Sequence, residues 1–430
     1  MALSVPAGYE PLHARSLPGY LAGLPPLAAR LGGRPEDWRV HEASDGNVNQ
    51  VFRVHGPSGD VCVKQSLPYV RLVGESWPLA LERIDFEHLA LLEHGRHTGR
   101  RVPEVLHHDP RLFLIVVECL TPHIILREGM TRGIRYPRFA GQVADYLARS
   151  LFFTSSLALS AEEKKGQVAA FCANTAMCRI MEDMVFTEPY QVHPRNSWTS
   201  PALDGLASEL RADVPLKLAA FRLKRHYLDT AEALIHGDLH TGSIMVTQED
   251  TRIIDQEFAF CGPMAFDVGS LLAHLLLGFF SQEGHSTARE PREDYAEWVL
   301  ETVEALWSSF HDTFLQLWDA HGLGAGDPAV LLTTEAERSA LLQERRAFLQ
   351  RLLEQSMAYA GAELLRRVFG LAHTLDLERI ADLERRAACE ARCVQLGRSL
   401  LVETGRFRTL FDVTAAARAL VARPRREQVA

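Results

Sequence analysis

His236-Gly237-Asp238-Leu239-His240-Thr241-Gly242-Ser243 is a run of small and polar residues, followed closely by Ile253-Ile254-Asp255-Gln256-Glu257. Residues 244–247 and 252–254 are short strand-like runs flanking a polar turn, so the stretch reads as a β insert carrying two loops. Working outward, the chain upstream is strand-rich and the chain downstream is helical. Residues 50–55 and 61–65 are β-branched or aromatic runs separated by Gly56-Pro57-Ser58-Gly59, a hairpin signal. Leu81, Ile84, Leu89 and Leu92 give residues 81–96 a helical spacing, and the apolar run 112–117, ending at Glu118, reads as a buried strand. After Pro122, long periodic apolar faces occupy 139–159, 294–321, 335–370 and 377–404. The first 39 residues, rich in Pro and Gly, read as a lead-in with one helix, and 423–430 as a frayed tail. The expected fold is α+β with two lobes. A small β-rich lobe covers 1–120, including the lead-in 1–39, and a larger, mainly helical lobe covers 121–430.

The 430 residues leave room for two or three units. With 46 basic and 55 acidic side chains the net charge is −9, which supplies no basic field for nucleic acid. The longest apolar run, 271–280, is interrupted by His274 and is half of the ~20 residues a membrane span needs. No basic segment followed by an apolar one opens the chain, so neither a secretory leader nor a membrane partner is expected, and a cytoplasmic enzyme fits. The seven scattered cysteines argue for reduced thiols; Cys389 and Cys393, four apart in a helical pattern, lack a second pair with zinc spacing.

A carboxylate in a tight turn and a second at the end of the next short strand suit phosphoryl transfer. One orients a hydroxyl nucleophile and takes its proton; the other holds a divalent cation that bridges phosphate oxygens. Asp238 is the candidate base and Asp255 the candidate metal ligand. Either residue alone reads equally well as a turn cap or a strand end; their order, 17 residues apart, carries the reading. Kinase-like enzymes place Asn five residues after the base, where this chain has Ser243, a poorer cation ligand. Glu257 stands two residues after Asp255 and is the expected replacement for that lost oxygen ligand.

Upstream, Asp45-Gly46-Asn47-Val48-Asn49-Gln50 forms a turn before a strand, which suits phosphate binding and equally suits any hairpin. Val61-Cys62-Val63-Lys64 resembles the lysine strand of kinases. Strand alternation puts Lys64 on the face opposite Val63, with Glu87 as its best helix partner and Glu82 and Glu93 behind it. Glu118-Cys119-Leu120 ends the buried strand where the lobes join and offers backbone groups to an adenine edge. No Gly-Lys dipeptide exists, which removes the P-loop class. Arg366 and Arg367 sit side by side in an apolar helix, costly unless they meet anions or carboxylates. They suit a hydroxylated substrate or a transferring phosphoryl group, and alternatively a structural ion pair.

Taken together, the turn at 45–52, Val73-Gly74-Glu75-Ser76-Trp77-Pro78, the 236–246 stretch, 255–269 and 366–376 resemble the 5-methylthioribose kinase family, a relative of the choline kinase and aminoglycoside phosphotransferase group. The resemblance spans about residues 40 to 380. It implies a protein-kinase-like fold and transfer of the ATP γ-phosphate to the 1-hydroxyl of S-methyl-5-thioribose, in methionine salvage, by a cytosolic homodimer that uses Mg²⁺. It also implies ATP contacts at Asn49, Lys64, Glu118, Cys119, Leu120 and Asp255-Gln256-Glu257. Asp255 and Glu257 would hold the metal, and Asp238, Arg366 and Arg367 would meet the sugar. Gln256, Cys261 and Ala265 depart from the family pattern, which has Pro, an aromatic residue and Gly there, and bear on substrate preference. The alternatives are a kinase of the same fold acting on an aminoglycoside, choline or another sugar, and a nucleotide-binding regulator without catalysis. Aminoglycosides and choline are cationic, so paired arginines favour a neutral sugar. The intact set Lys64, Asp238, Asp255 and Glu257 disfavours the regulator.

Overall fold

Alternation builds the first sheet. Val61, Val63, Leu114 and Val116 pack with Leu17, Leu21, Leu27 and Leu31 in one apolar cluster, whereas Ile115 and Val117 join Ile84 and Leu91 on the opposite face. The structure is a computed structural model that describes residues 6–43, 48–71, 74–332 and 334–422. The turn at 45–47, Val73 and the tail 423–430 therefore lie outside the described residues.

In chain order the N-terminal part comprises α1 (Leu17–Ala22), α2 (Pro25–Leu31), β1 (Arg39–Glu42), β2 (Gln50–His55), β3 (Asp60–Gln65), β4 (Tyr69–Val70), β5 (Gly74–Pro78), α3 (Arg83–Thr98), β6 (Val105–Asp109) and β7 (Leu114–Glu118). Five of these strands form an antiparallel sheet in the order β1-β2-β3-β7-β6, with α1 and α2 covering one face. The lead-in holds two helices where one is expected. Leu24 is extended and Pro25-Pro26 opens a second helix, as proline's fixed φ favours.

The remainder is mainly helical: β8 (Ile124–Ile125), α4 (Leu126–Thr131), α5 (Phe139–Phe153), α6 (Ala161–Phe171), α7 (Thr175–Phe186), α8 (Asp204–Ala212), α9 (Val214–Asp229), β9 (Ala233–Ile235), β10 (Ile244–Val246), β11 (Thr251–Ile253), β12 (Phe260–Gly262), α10 (Met264–His285), α11 (Glu293–His321), α12 (Glu335–Phe369), α13 (Leu375–Glu378), α14 (Leu383–Val402) and α15 (Leu410–Ala422). This is the α+β division expected from the sequence. Two helices are shorter than their apolar patterns. α5 stops at Phe153 because Thr154 and Ser155 turn their hydroxyls onto the carbonyls of Ser150 and Phe152. α14 starts only at Leu383, where the Asp382 carboxylate caps the N–H groups of Glu384 and Arg385.

α10 is long and apolar enough to cross a membrane, yet its whole apolar window is buried inside the fold. The apolar run at 271–280 is the middle of this core helix, packed against α11 and α12. β10 and β11 form the expected hairpin, joined by β8. β9 pairs with β12, Ile235 opposite Phe260, so the loop that leaves β9 at His236 begins beside the end of the 254–259 loop. That pairing sets the two carboxylate-bearing loops next to each other.

Candidate active site

The 236–243 loop is tied down through its backbone. Asp267, on α10, accepts the N–H groups of His236 at 2.7 Å and Gly237 at 2.9 Å. His236 Nε2 donates to the Ile254 carbonyl at 2.8 Å, so its Nδ1 is left to accept the Asp238 N–H at 3.3 Å. Burial pushes this imidazole down to about 4 and keeps it neutral in that role. Ser243, buried, donates its hydroxyl to the carbonyls of Asp238 and His240 and accepts the His240 N–H. Its position in the motif therefore serves the loop's shape, in line with its poor suitability as a cation ligand.

Asp238 faces a set of fixed donors. His240 Nδ1 accepts the N–H groups of Gly242 and Ser243, so its proton is on Nε2, which lies 3.4 Å from Asp238 Oδ2. Arg367 Nη2 and Arg366 Nη1 lie 3.6 and 4.0 Å from Asp238 Oδ1. Burial raises the carboxyl, but His240 and the two arginines outweigh it and hold Asp238 well below the ordinary carboxylate range. Asp238 Oδ1 and Arg367 Nη2 are both buried without a hydrogen-bond partner among the described residues. A buried acceptor and a buried donor facing each other unpaired mark a place for a ligand atom.

The second loop carries Asp255, in a left-handed conformation at φ +74°, and Glu257. Lys64 Nζ pairs with Asp255 and lies 2.7 Å from Glu87 Oε2. Burial would lower the lysine, but Asp255 and Glu87 more than reverse this and keep it protonated. Glu257 is buried, not solvent-facing: Asn49 Nδ2 donates to its Oε2 at 2.7 Å and Arg83 Nε lies 3.4 Å from the same oxygen. Asn49, Lys64, Asp255 and Glu257, drawn from the N-terminal sheet and from the middle of the chain, thus meet in one place.

A profile of the phosphotransferase enzyme family matches residues 39–306. Methylthioribose kinase of Escherichia coli O45:K1 (strain S88 / ExPEC) is 42% identical over 97% of this chain and 100% of its own length. Methylthioribose kinase 1 of Oryza sativa subsp. japonica is 42% identical over 94% of each chain. The chain belongs to the methylthioribose kinase family. A solved choline kinase from Cryptosporidium parvum Iowa II aligns with a TM-score of 0.46 at 11% identity, over 94% of this chain and 99% of that one.

Other residues that the family resemblance singles out sit differently. Glu118 ends β7, where its N–H donates to the Glu104 carbonyl and its carboxylate accepts Arg252 at 3.2 Å. Cys119 is half-buried and Leu120 buried. The Gln256 side chain is turned into the core, its amide donating to the Tyr146 hydroxyl at 3.3 Å. Cys261, on β12, and Ala265, on α10, are buried. Trp77, in the family's Trp-bearing stretch, stacks under Arg195, whose guanidinium carbon is 4.4 Å from the ring centre.

Sequence reasoning missed three residues of this methylthioribose kinase family site. Arg83 orders Asn49, donating to its Oδ1 at 2.9 Å. Asp267 anchors the 236–243 loop, and Glu363 holds both arginines. Asp267 had a readable signal, an acid inside a largely apolar helix run; Glu363 had another, its spacing three and four residues before the arginine pair.

Proposed function

We propose that this chain is an ATP-dependent S-methyl-5-thioribose kinase that phosphorylates the sugar's 1-hydroxyl, a step of methionine salvage. The observation that carries this is the unpaired couple of Asp238 Oδ1 and Arg367 Nη2, 3.6 Å apart and buried. An oxygen about 2.8 Å from each atom closes a triangle over that gap. A hydroxyl placed there donates to the carboxylate and accepts from the guanidinium, satisfying both.

In the reaction the hydroxyl oxygen forms a bond to the γ-phosphorus and the bond from that phosphorus to the ADP oxygen breaks. The hydroxyl proton passes to Asp238. A carboxylate held well below its ordinary range is a weak base, and phosphoryl transfer through a loose transition state asks for little base strength. Asp238 therefore acts chiefly by orienting the hydroxyl, and Arg366 and Arg367 by offsetting charge on the transferring group. Their planar cationic donors suit a neutral polyol and disfavour cationic acceptors such as choline or an aminoglycoside.

Asp255 and Glu257 are the residues that would hold Mg²⁺. Both donors are hard oxygens, and bound there the ion would offset charge on the phosphates. Lys64 supplies a fixed positive charge for the phosphates, and Asn49 and the Glu118-Cys119-Leu120 backbone complete the nucleotide site, with Gln256 in the metal-bearing turn. The division into an ATP-binding lobe, 1–120, and a catalytic lobe, 121–430, belongs to the same reading, as do a cytoplasmic location and a homodimeric state.

The test is ADP release with Mg²⁺-ATP and methylthioribose beside ribose, choline and an aminoglycoside, with the phosphate's position read by NMR. Selective formation of the 1-phosphate of methylthioribose is expected. Transfer to another alcohol would move the specificity, and ATP binding without transfer to any acceptor would favour a regulator.

A further inference from the structure

Glu363 lies on α12 three and four residues before Arg366 and Arg367, a spacing that places all three on one helix face. Its Oε1 accepts from Arg366 Nη1 at 2.7 Å and from Arg367 Nε at 2.8 Å. From α10, His274 Nε2 comes within 3.4 Å of the same oxygen. His274 Nδ1 faces the Arg127 Nη2 donor at 3.4 Å, so the imidazole proton is on Nε2, turned toward Glu363. Glu363, Arg366, Arg367 and His274 are all buried. Burial raises the Glu363 carboxyl, but the two arginines outweigh it and hold the group far below its ordinary range.

One carboxylate against two guanidiniums leaves one positive charge facing Asp238. Among the described residues, Asp238 is the only other carboxylate within 4.0 Å of either guanidinium. The Glu363 oxygen takes Nε of Arg367 and Nη1 of Arg366, while Arg367 Nη2 stays unpaired toward the gap. Arg367 Nη1 also donates to the Ala372 carbonyl at 3.1 Å, but without Glu363 the remaining carboxylate beside Arg367 is Asp238, and closing the 3.6 Å gap would remove the place where the hydroxyl sits.

We propose that Glu363 is a positioning residue for the transfer step, which holds Arg366 and Arg367 off Asp238 so that the base and the cationic donors stay separately available to the acceptor hydroxyl. The proposal rests on the functional reading above. It predicts a kinetic effect that runs through the arginines, which a merely structural buried glutamate would not produce.

The test compares wild type, Glu363→Gln, Arg367→Ala and the double variant, with methylthioribose and Mg²⁺-ATP. If the wild-type enzyme does not turn over methylthioribose, the functional reading fails before any variant is measured, so the two failures are distinguishable. Glu363→Gln is expected to lower kcat by about 10²-fold, the cost of a misplacement near 1 Å. Its KM for ATP stays within about threefold, because the nucleotide side is untouched. In the Arg367→Ala background the same change is expected to cost less, about tenfold, since the arginine nearer Asp238 is gone and only Arg366 remains to be held. Wild-type kcat in Glu363→Gln, or an undiminished loss in the Arg367→Ala background, overturns the proposal. Should Glu363→Gln lose ATP binding and so its fold, Glu363→Asp carries the test. It keeps the charge but withdraws it by one methylene, and it is expected to lower kcat about tenfold at unchanged KM for ATP. Wild-type kcat in that variant overturns the proposal equally.

Discussion

The Lys64 ammonium lies 2.7 Å from the Glu87 carboxylate, on the side of β3 opposite Val63, and the same nitrogen pairs with Asp255. One buried cation thereby ties α3 to the loop that follows β11. Removing it strands the buried Glu87 carboxylate, whereas the half-exposed Asp255 keeps its contact with water, and leaving one buried charge unpaired in this way costs up to about 3–5 kcal/mol. Lys64→Met is therefore expected to lower the urea midpoint of unfolding and to raise KM for ATP. A midpoint equal to wild type would mean that the ion pairs contribute no net stability.

Asp238→Asn keeps the shape of the side chain and removes its charge. Loss of a positioned proton acceptor typically costs about 10²–10⁴ in rate. Turnover is expected to fall by that order while ATP affinity, measured by fluorescence or calorimetry, is retained. Because neighbouring His240, Arg366 and Arg367 hold Asp238 well below the ordinary carboxylate range, wild-type kcat/KM should show no acidic limb from this group down to about pH 5. A limb at an ordinary carboxylate value that disappears in Asp238→Asn would contradict the geometry.

What could be read from the sequence divides along a physical line. Lys64 was legible because a strand's period of two assigns it a face, and Arg366 and Arg367 because two charges in an apolar helix must meet something. The pairing of Asn49 with Glu257 joins residues 208 apart in the chain, and no local period encodes it. Arg83 reads as an ordinary charge at the start of a helix, yet it is buried against Asn49 and Glu257, a partnership set only by how α3 packs. The strands β4, β8, β9 and β12, of two or three residues each, are too short for alternation to register. The pairing of β9 with β12 is nonetheless what brings the 236–243 and 254–259 loops together. Glu363 was legible in principle, since its spacing to both arginines is a helical one.

His94 bridges Tyr146 and the Leu234 carbonyl in the core beneath β9, and burial pushes it down to about 4. The unfolded chain binds a proton there near the ordinary histidine value, about 6.5. Its contribution is therefore fully present above about pH 6.5 and is lost as pH falls toward about 4, at up to about 1.4 kcal/mol per pH unit. Glu87 and Asp267, which burial pushes up to about 7, act in the opposite sense over the same range, so the histidine is best read by difference. Urea unfolding of wild type and His94→Gln should diverge in slope between about pH 7 and about pH 5, wild type losing stability faster as the solution is acidified. Parallel pH dependences would show that His94 is protonated in the folded protein.

Gly237 sets the two loops in register. Its φ is +81°, and a Cβ there would lie 2.2 Å from the carbonyl oxygen of Phe258 and 2.8 Å from its carbonyl carbon. The obstructing atoms are backbone of the very loop that carries Asp255 and Glu257, so they cannot yield as a flexible side chain would. Gly237→Ala must push the 236–243 loop away from the 254–259 loop, strain the left-handed backbone, or do both. Either outcome separates Asp238 from Asp255 and Glu257 by a fraction of an ångström to an ångström, and a displacement of that size costs about 10²-fold in rate. The expected result is a collapse of kcat with a lowered melting temperature. Gly166→Ala, inside α6 with nothing within 4 Å of the new Cβ, is the control. There the substitution should leave kcat unchanged and stabilise by about 0.5–1 kcal/mol through helix propensity. Wild-type turnover in Gly237→Ala would mean that the two loops tolerate separation, and with it that the transfer step does not depend on their close contact.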